Sequence, residues 1–234
     1  SWSAEVDTIY GHLKIKNDGS WEYRSDDQEI HPANNSLKEK ITYTLTDGDG
    51  DTDTATKTFR VKDTIAKFVP ENAGKVDEDD LVGKGSDQDP NDPLKIEASL
   101  GIKHKADDLD VKFLDNADQI KDFLKTLTSD GQTLEQDYDI SADGHTLTVR
   151  DHNGADVFVA TLVIDPTDQA NIDNSKYTFE LKGVLDHPNQ GQDSMKVYIP
   201  VSLIETDDVI DRKLLIKVTD DVPTAKSDTP KSIT

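Results

Sequence analysis

Apolar side chains occupy every second position in several short stretches of the chain. Two of these stretches, residues 10–15 and 21–24, flank Asn17-Asp18-Gly19, a sequence typical of a β-hairpin turn. Two others, residues 41–45 and 55–61, flank a turn rich in Asp and Gly. We therefore predict two β-hairpins in this part of the chain. They supply fewer strands than a complete sandwich needs.

The rest of the chain continues the β pattern. The predicted strands share alternating or continuous apolar character: 94–100, 109–114, 138–140, 146–149, 157–164, 177–184, 195–204 and 213–218. One short helix is predicted at residues 117–127, after an N-cap at Asp115 or Asn116. Its apolar side chains fall on one face and are expected in the core: Ile120, Phe123, Leu124 and Leu127.

The predicted fold class is all-β, with β-sandwich domains in tandem. Residues 1–63 form a partial sandwich, either truncated or split, and residues 64–222 form a larger one that contains the helix. A linker at residues 63–74 separates them, and residues 223–234 are a linker or the start of a next domain.

Charge and composition point to metal ions. The chain has 48 acidic and 26 basic residues, a net charge of −22, and 38 of the acids are Asp. Asp is common in turns and offers oxygen to calcium. With no cysteine, disulfides are excluded and a metal is the expected substitute. The alternative is that the acidity serves solubility or reflects a salty habitat.

Other classes of protein find little support. Nucleic acid is disfavoured as a partner because so negative a protein repels phosphate. No apolar run reaches the roughly 18 residues of a membrane span, and the amino end has no signal-peptide pattern. The sequence has no His-Glu-x-x-His or Gly-x-Ser-x-Gly motif, so we predict no enzyme and no catalytic residues.

The segment from Thr46 to Asp53 carries the strongest chemical signal. Aspartates alternate with small residues, at Asp47, Asp49, Asp51 and Asp53. At an effective dielectric of 20, carboxylates about 5 Å apart repel by roughly 3 kcal/mol per pair, so a tight loop would favour a cation. The hard oxygen donors predict Ca²⁺. The alternative is a solvated hairpin turn without metal.

Hairpin geometry predicts a second site. A hairpin turn and its free ends lie at opposite poles, so the turn after residue 204 should face back toward the first domain. We predict that Asp63, Asp207 and Asp208 share a calcium ion at the junction. Asp220 and Asp221 would form a half-site for a following domain, and Asp79 and Asp80, in an acidic run at residues 77–80 expected to be a loop, are further candidate ligands.

The chain resembles a known family. Residues 10–23 and the string from Ile41 to Thr52, with its Asp-Gly-Asp-Gly-Asp-Thr, resemble the second half of the cadherin-like repeat of giant repeats-in-toxin adhesins. Residues 127–223, with Leu185-Asp-His-Pro, resemble a longer repeat of the same proteins. The resemblance implies immunoglobulin-like sandwiches, calcium between domains, type I secretion without disulfides, and attachment to hosts or biofilms.

Two departures from the repeats stand out. The long repeat usually carries another Asp-Gly-Asp-Gly-Asp turn where this chain has Thr206-Asp-Asp-Val-Ile-Asp. The amino-terminal repeat lacks its first half, and in such adhesins an inserted ligand-binding domain can split a sandwich.

Two functions follow as hypotheses. The first is a calcium-dependent extender on the bacterial cell surface, a monomer whose partners are neighbouring domains of the same adhesin. The second is that the larger domain itself binds a cell-surface peptide or glycan through loops at residues 77–92 or 107–118.

Overall fold

The computed structural model divides the chain into two compact units. It describes residues 2–16, 18–26, 36–70, 74–86, 93–105, 107–114, 118–189, 191 and 193–222. The first unit contains residues 1–66 together with 104–108 and 205–208, and the second unit contains the remainder. The predicted domain bounds stay a prediction, and the predicted tail at 223–234 lies outside the described residues.

The first unit contains two antiparallel sheets. The sheets contain the strands β1 Val6–Asp7, β2 Gly11–Ile15, β3 Trp21–Ser25, β4 Leu37–Thr46 and β5 Thr52–Val61. The first three strands pair in the order β1-β2-β3, and β4 and β5 form a long hairpin. Both hairpins that the apolar alternation predicts are therefore present.

Aromatic side chains join these two sheets. The Tyr23 ring on β3 stacks on Phe59 of β5 with centroids 4.4 Å apart, and Trp21 meets the same ring edge-on at 5.0 Å. Phe59 is buried, whereas Trp21 is 48% exposed. The buried core of this unit is small: Leu13 of β2 and Phe59 and Val61 of β5, with the aromatic rings of β3 packed against Phe59.

The second unit contains the larger core. Its strands are β6 Lys67–Phe68, β7 Lys75–Asp77, β8 Lys95–Ser99, β9 Ile102–Lys103, β10 Asp110–Lys112, β11 Thr128–Ser129, β12 Gln132–Thr133, β13 Tyr138–Ile140, β14 Thr146–Arg150, β15 Asp156–Val163, β16 Lys176–Leu181, β17 Ser194–Ile204 and β18 Val209–Thr219. A five-stranded antiparallel sheet has the order β13-β14-β15-β16-β8, and a four-stranded sheet has the order β10-β17-β18-β7.

Burial that alternates from residue to residue shows which face of the five-stranded sheet is buried. On β16, Tyr177, Phe179 and Leu181 are at most 1% exposed, while the residues between them are partly exposed. The Phe158 ring of β15 lies 5.3 Å from the Phe179 ring, centroid to centroid. One face of this sheet is therefore core, as the alternation predicts.

In the four-stranded sheet, β7 is a parallel edge strand. It pairs with β18 in a register that sets Asp77 opposite Thr219, and the end of β18 thereby comes next to the residues that follow β7. The prediction of a loop at 77–80 is wrong, since Asp77 ends β7 and Glu78–Asp80 form a 3₁₀ turn. Short strands and turns of this kind have too few residues for a readable period.

The helix α1, Gln119–Leu124, is shorter than predicted. Its apolar face is buried, with Ile120 and Leu124 fully covered. Asp118 precedes the first turn in a left-handed conformation, and the predicted N-caps at residues 115 and 116 lie outside the described residues. A second 3₁₀ segment, Gln169–Asn174, precedes β16.

Candidate metal centres

The turn between β4 and β5 brings Asp47, Asp49 and Asp51 together. One ligand oxygen of each lies within 4.8 Å of the others, and all three residues are exposed. Gly50 turns the chain with a φ of +102°, a conformation that L side chains rarely adopt. Asp53 lies further on, in β5, where its Oδ1 accepts the amide of its neighbour Thr54 at 2.8 Å.

Asp47 is partly engaged by its own loop. Its Oδ1 accepts backbone amides from Asp49 at 3.2 Å, Gly50 at 3.0 Å and Asp51 at 2.9 Å. A hydrogen bond with the Asp49 side chain, followed by these amides, holds the pKa of Asp47 below its ordinary value. The turn is thus ordered by the chain itself, and a cation would use the remaining oxygens.

A second cluster joins distant parts of the sequence within the first unit. Asp63 follows β5, and Asp207 and Asp208 lie in the turn between β17 and β18; their ligand oxygens lie within 4.8 Å of one another. The hairpin argument from sequence predicts this meeting. All three residues are partly exposed, which leaves the cluster open to solvent.

Glu205 adds a buried carboxylate beside this cluster. Its Oε1 accepts the amide of Ala66 at 3.0 Å, and its own N–H donates to the carbonyl of Asp208 at 2.9 Å. Burial raises the pKa of Glu205, and the charges of Asp107, Asp63 and Asp208 act in the same direction against the Ala66 hydrogen bond. Several negative oxygens therefore converge here. Asp63, Asp208 and Glu205 form no ion pair within the described part of the chain.

A third cluster, in the second unit, contains an imidazole. Glu78 of the 3₁₀ turn, His187 of the loop before β17 and Asp220 after β18 place one ligand atom each within 4.8 Å of the others. The His187 side chain is 1% exposed, and its Nε2 lies 3.9 Å from Glu78 Oε1. Its Nδ1 is hydrogen-bonded to Asp193 Oδ1 at 2.5 Å.

Glu78 is buried among acids. Burial, together with the charges of Asp220, Asp221 and Asp77, raises the pKa of Glu78 to about 8, although the amide of Leu185 donates to Oε1 at 2.7 Å and opposes the shift. Sequence reasoning missed Glu78 and His187 as site residues. The only sequence signal was the Leu185-Asp-His-Pro string, which does not show what the histidine meets in the fold.

The remaining predicted ligands lie near this third cluster but outside it. Asp221 Oδ1 accepts the amide of Ser86 at 3.3 Å. Asp79 and Asp80 lie in the 3₁₀ turn after Glu78 and are partly exposed. Neither they nor Asp221 belong to the groups of converging ligand atoms found in the described residues.

Residues 2–60 match the family model described as Bacterial Ig domain. No curated protein and no solved structure matches the chain significantly. With the strands described above, the match confirms the predicted all-β, immunoglobulin-like fold class. It supports a bacterial protein segment of the kind found at cell surfaces. Within the described ranges, no helix has the length and apolar character to cross a bilayer.

Proposed function

We propose that this chain is a calcium-stabilised, non-enzymatic segment of a large repeats-in-toxin adhesin, exported by type I secretion to the bacterial surface. In this role it holds a ligand-binding region away from the cell for attachment to hosts or biofilms. The similarity of residues 2–60 to a bacterial Ig domain supports a structural role. The sequence has no cysteine, so disulfides do not stabilise it, and bound metal ions are one device that can take their place.

The observation that carries the proposal is the cluster of Asp63, Asp207 and Asp208 beside Glu205. Its donors are all oxygens, and calcium prefers six to eight oxygen ligands at about 2.3–2.6 Å. An ion there would offset the mutual repulsion of these carboxylates and tie the turn before β18 to the chain after β5. The Asp47 loop is a second, more exposed calcium candidate of the same chemistry.

Thermal unfolding with and without chelator tests the proposal. Replacing Asp63 and Asp208 with Asn should remove most of the difference in melting temperature between calcium and EDTA. The control removes the same two charges at exposed positions, Asp122→Asn with Asp130→Asn, where Asn tolerates the left-handed backbone of Asp130. This control should respond to calcium as the parent does. The proposal would be contradicted if both double variants showed the same difference in melting temperature between calcium and EDTA.

A second candidate function is ligand binding by the larger unit, because α1 and the strands β17 and β18 border a groove of about 570 Å³. Tyr198 in this groove is 45% exposed. On the same strand face, Lys196 lies directly opposite Lys217, and Lys213 lies opposite Pro200. None of the three lysines forms an ion pair with any described residue.

Lys196, Arg212 and Lys213 line the groove together with Asp122 and Asp211, and Asp122 is paired with Lys125 outside the groove lining. The lysines without ion pairs favour an anionic ligand. Like charges directly opposite each other in a sheet repel, and an anion would relieve that repulsion. An exposed Tyr ring next to cations suits the apolar face of a sugar that carries a carboxylate. The groove differs from the loops expected to bind ligand, parts of which, residues 87–92 and 115–117, lie outside the described residues.

A further inference from the structure

We infer that Glu78, His187 and Asp220 form a binding site for a transition-metal ion of the zinc type. The inference goes beyond calcium stabilisation, since it concerns a different metal and the second unit. It also replaces the expectation that Asp220 serves only a calcium half-site. Its basis is the geometry of His187.

The hydrogen bonding of His187 fixes its tautomer. The Asp193 carboxylate lies 2.5 Å from His187 Nδ1 and also accepts from Asn189 Nδ2 at 2.8 Å, and a carboxylate can only accept hydrogen bonds. Nδ1 therefore carries the proton and donates to Asp193. In the neutral ring, Nε2 then presents a lone pair.

The Nε2 atom lies beside two acidic side chains, Glu78 and Asp220. Among the residues that the structure describes, Nε2 has no hydrogen-bond partner, although the side chain is 1% exposed. Its neighbour Glu78 Oε1, at 3.9 Å, already accepts the amide of Leu185 and lies beyond hydrogen-bond distance. Asp220 offers a further acceptor oxygen within 4.8 Å. Three potential ligand atoms thus lie within 4.8 Å of one another, close enough for one cation to bind all three.

The dimensions fit a small ion. A tetrahedral zinc ion with ligands at about 2.0–2.1 Å separates its ligand atoms by roughly 3.3 Å. The observed 3.9 Å between Nε2 and Oε1 needs only a small contraction to reach this value. With one imidazole and two carboxylates as ligands, water would complete the coordination.

The donor set selects the class of metal. Calcium takes oxygen ligands, whereas neutral imidazole is a ligand for zinc, copper, nickel and iron. A second carboxylate that accepts from the far nitrogen of the imidazole is the usual outer partner of a metal-binding histidine, and Asp193 holds that place. Buried Asp77, next to Glu78 in the chain, pairs with Lys75 through Oδ2 at 2.8 Å, while its Oδ1 has no hydrogen-bond partner among the described residues.

Titration of Zn²⁺ into the full chain by calorimetry tests the site, after removal of metals with chelator and in the presence of millimolar Ca²⁺. We expect binding that His187→Ala weakens by at least 10-fold. Asp193→Asn, which keeps a side-chain acceptor but removes the charge, should weaken it by about 10–100-fold. His152→Ala, at an exposed imidazole, is the matched control and should bind as the parent does.

Cobalt spectroscopy covers the case in which His187→Ala fails to fold. Co²⁺ added to the parent chain should give the visible absorption of a four-coordinate site, and Zn²⁺ should abolish it. The inference is overturned if the parent takes up no Zn²⁺, if His187→Ala binds it equally well, or if Ca²⁺ displaces it at equimolar concentration. These results leave the calcium test at Asp63 and Asp208 unaffected.

Discussion

Glu205 Oε1 accepts the backbone amide of Ala66 at 3.0 Å, across 139 positions of sequence. Both residues are buried, and both belong to the first unit. The bond holds the chain just after Asp63 against the turn that carries Asp207 and Asp208. A hydrogen bond from backbone to side chain therefore already holds this part of the acidic cluster, and a bound ion would add to it.

Removing this acceptor should destabilise the first unit. Glu205→Ala leaves the Ala66 amide buried without a partner, whereas Glu205→Gln keeps an oxygen acceptor and removes the charge. In EDTA, we expect Glu205→Ala to be less stable than Glu205→Gln by about 1–3 kcal/mol. Chemical denaturation followed by circular dichroism measures the difference. Equal stabilities would show that the hydrogen bond to Ala66 does not hold the turn.

We expect Glu39 on β4 to make the stability of the fold depend on pH. It is 3% exposed and accepts hydrogen bonds from the amide of Ile9 at 2.6 Å, the Tyr23 hydroxyl at 2.8 Å and Thr8 Oγ1 at 3.0 Å. Burial alone would raise the pKa of Glu39, but these bonds and the Tyr10 amide outweigh it and lower the pKa from 4.5. The ionised carboxylate therefore stabilises the fold above pH 4.5, and this stability is lost as the pH falls through the lowered pKa.

Glu39→Gln turns an amide NH₂ toward these donors. We expect this variant to have a free energy of unfolding about 1–3 kcal/mol below that of the parent at pH 7. The difference should shrink below pH 4.5, as Glu39 of the parent becomes protonated. Denaturant unfolding of both proteins from pH 7 to pH 3 in EDTA provides the comparison. Glu22→Gln, at an exposed position on β3, should match the parent throughout. A deficit that grows toward low pH would contradict the assigned role of Glu39.

The long elements were predictable from sequence because their burial has a simple period. Alternation places both hairpins of the first unit and the strands β13 to β18, although β4 begins at Leu37 and β18 at Val209, before the predicted starts at residues 41 and 213. Two-residue strands such as β6 and β9 carry no period, and their pairing depends on residues far apart in sequence. Strand β7 was missed because its parallel pairing with β18 is set by the fold.

The candidate sites were predictable in part. Asp47, Asp49 and Asp51 are close in sequence, and hairpin geometry was enough to predict that Asp63 meets Asp207 and Asp208. The meeting of Glu78, His187 and Asp220 could not be predicted from the sequence. It depends on the register of β7 with β18 and on the course of the loop before β17. No local pattern contains that information.

The groove beside α1 should bind an acidic sugar through its cations. Replacing Lys196 and Lys213 with Gln should weaken binding of an oligouronate by at least 10-fold, since each charge-assisted hydrogen bond contributes about 1.5–3 kcal/mol. Tyr198→Ala should also weaken binding, through loss of ring contact. Exposed Lys103 and Lys182 are the control positions. If the variant lacking Lys196 and Lys213 binds the oligouronate as tightly as the parent does, this groove is not the binding site.

Calorimetric titration of Ca²⁺ into the metal-free chain tests the central claim most directly. We predict at least one bound ion, with a dissociation constant of about 10⁻⁴–10⁻³ M or tighter, as in extracellular calcium modules. The heat from this site should vanish in the Asp63→Asn, Asp208→Asn variant, and the melting temperature of the parent should fall by roughly ten degrees or more in EDTA. No binding heat at millimolar calcium, together with an unchanged melting temperature, would contradict the account.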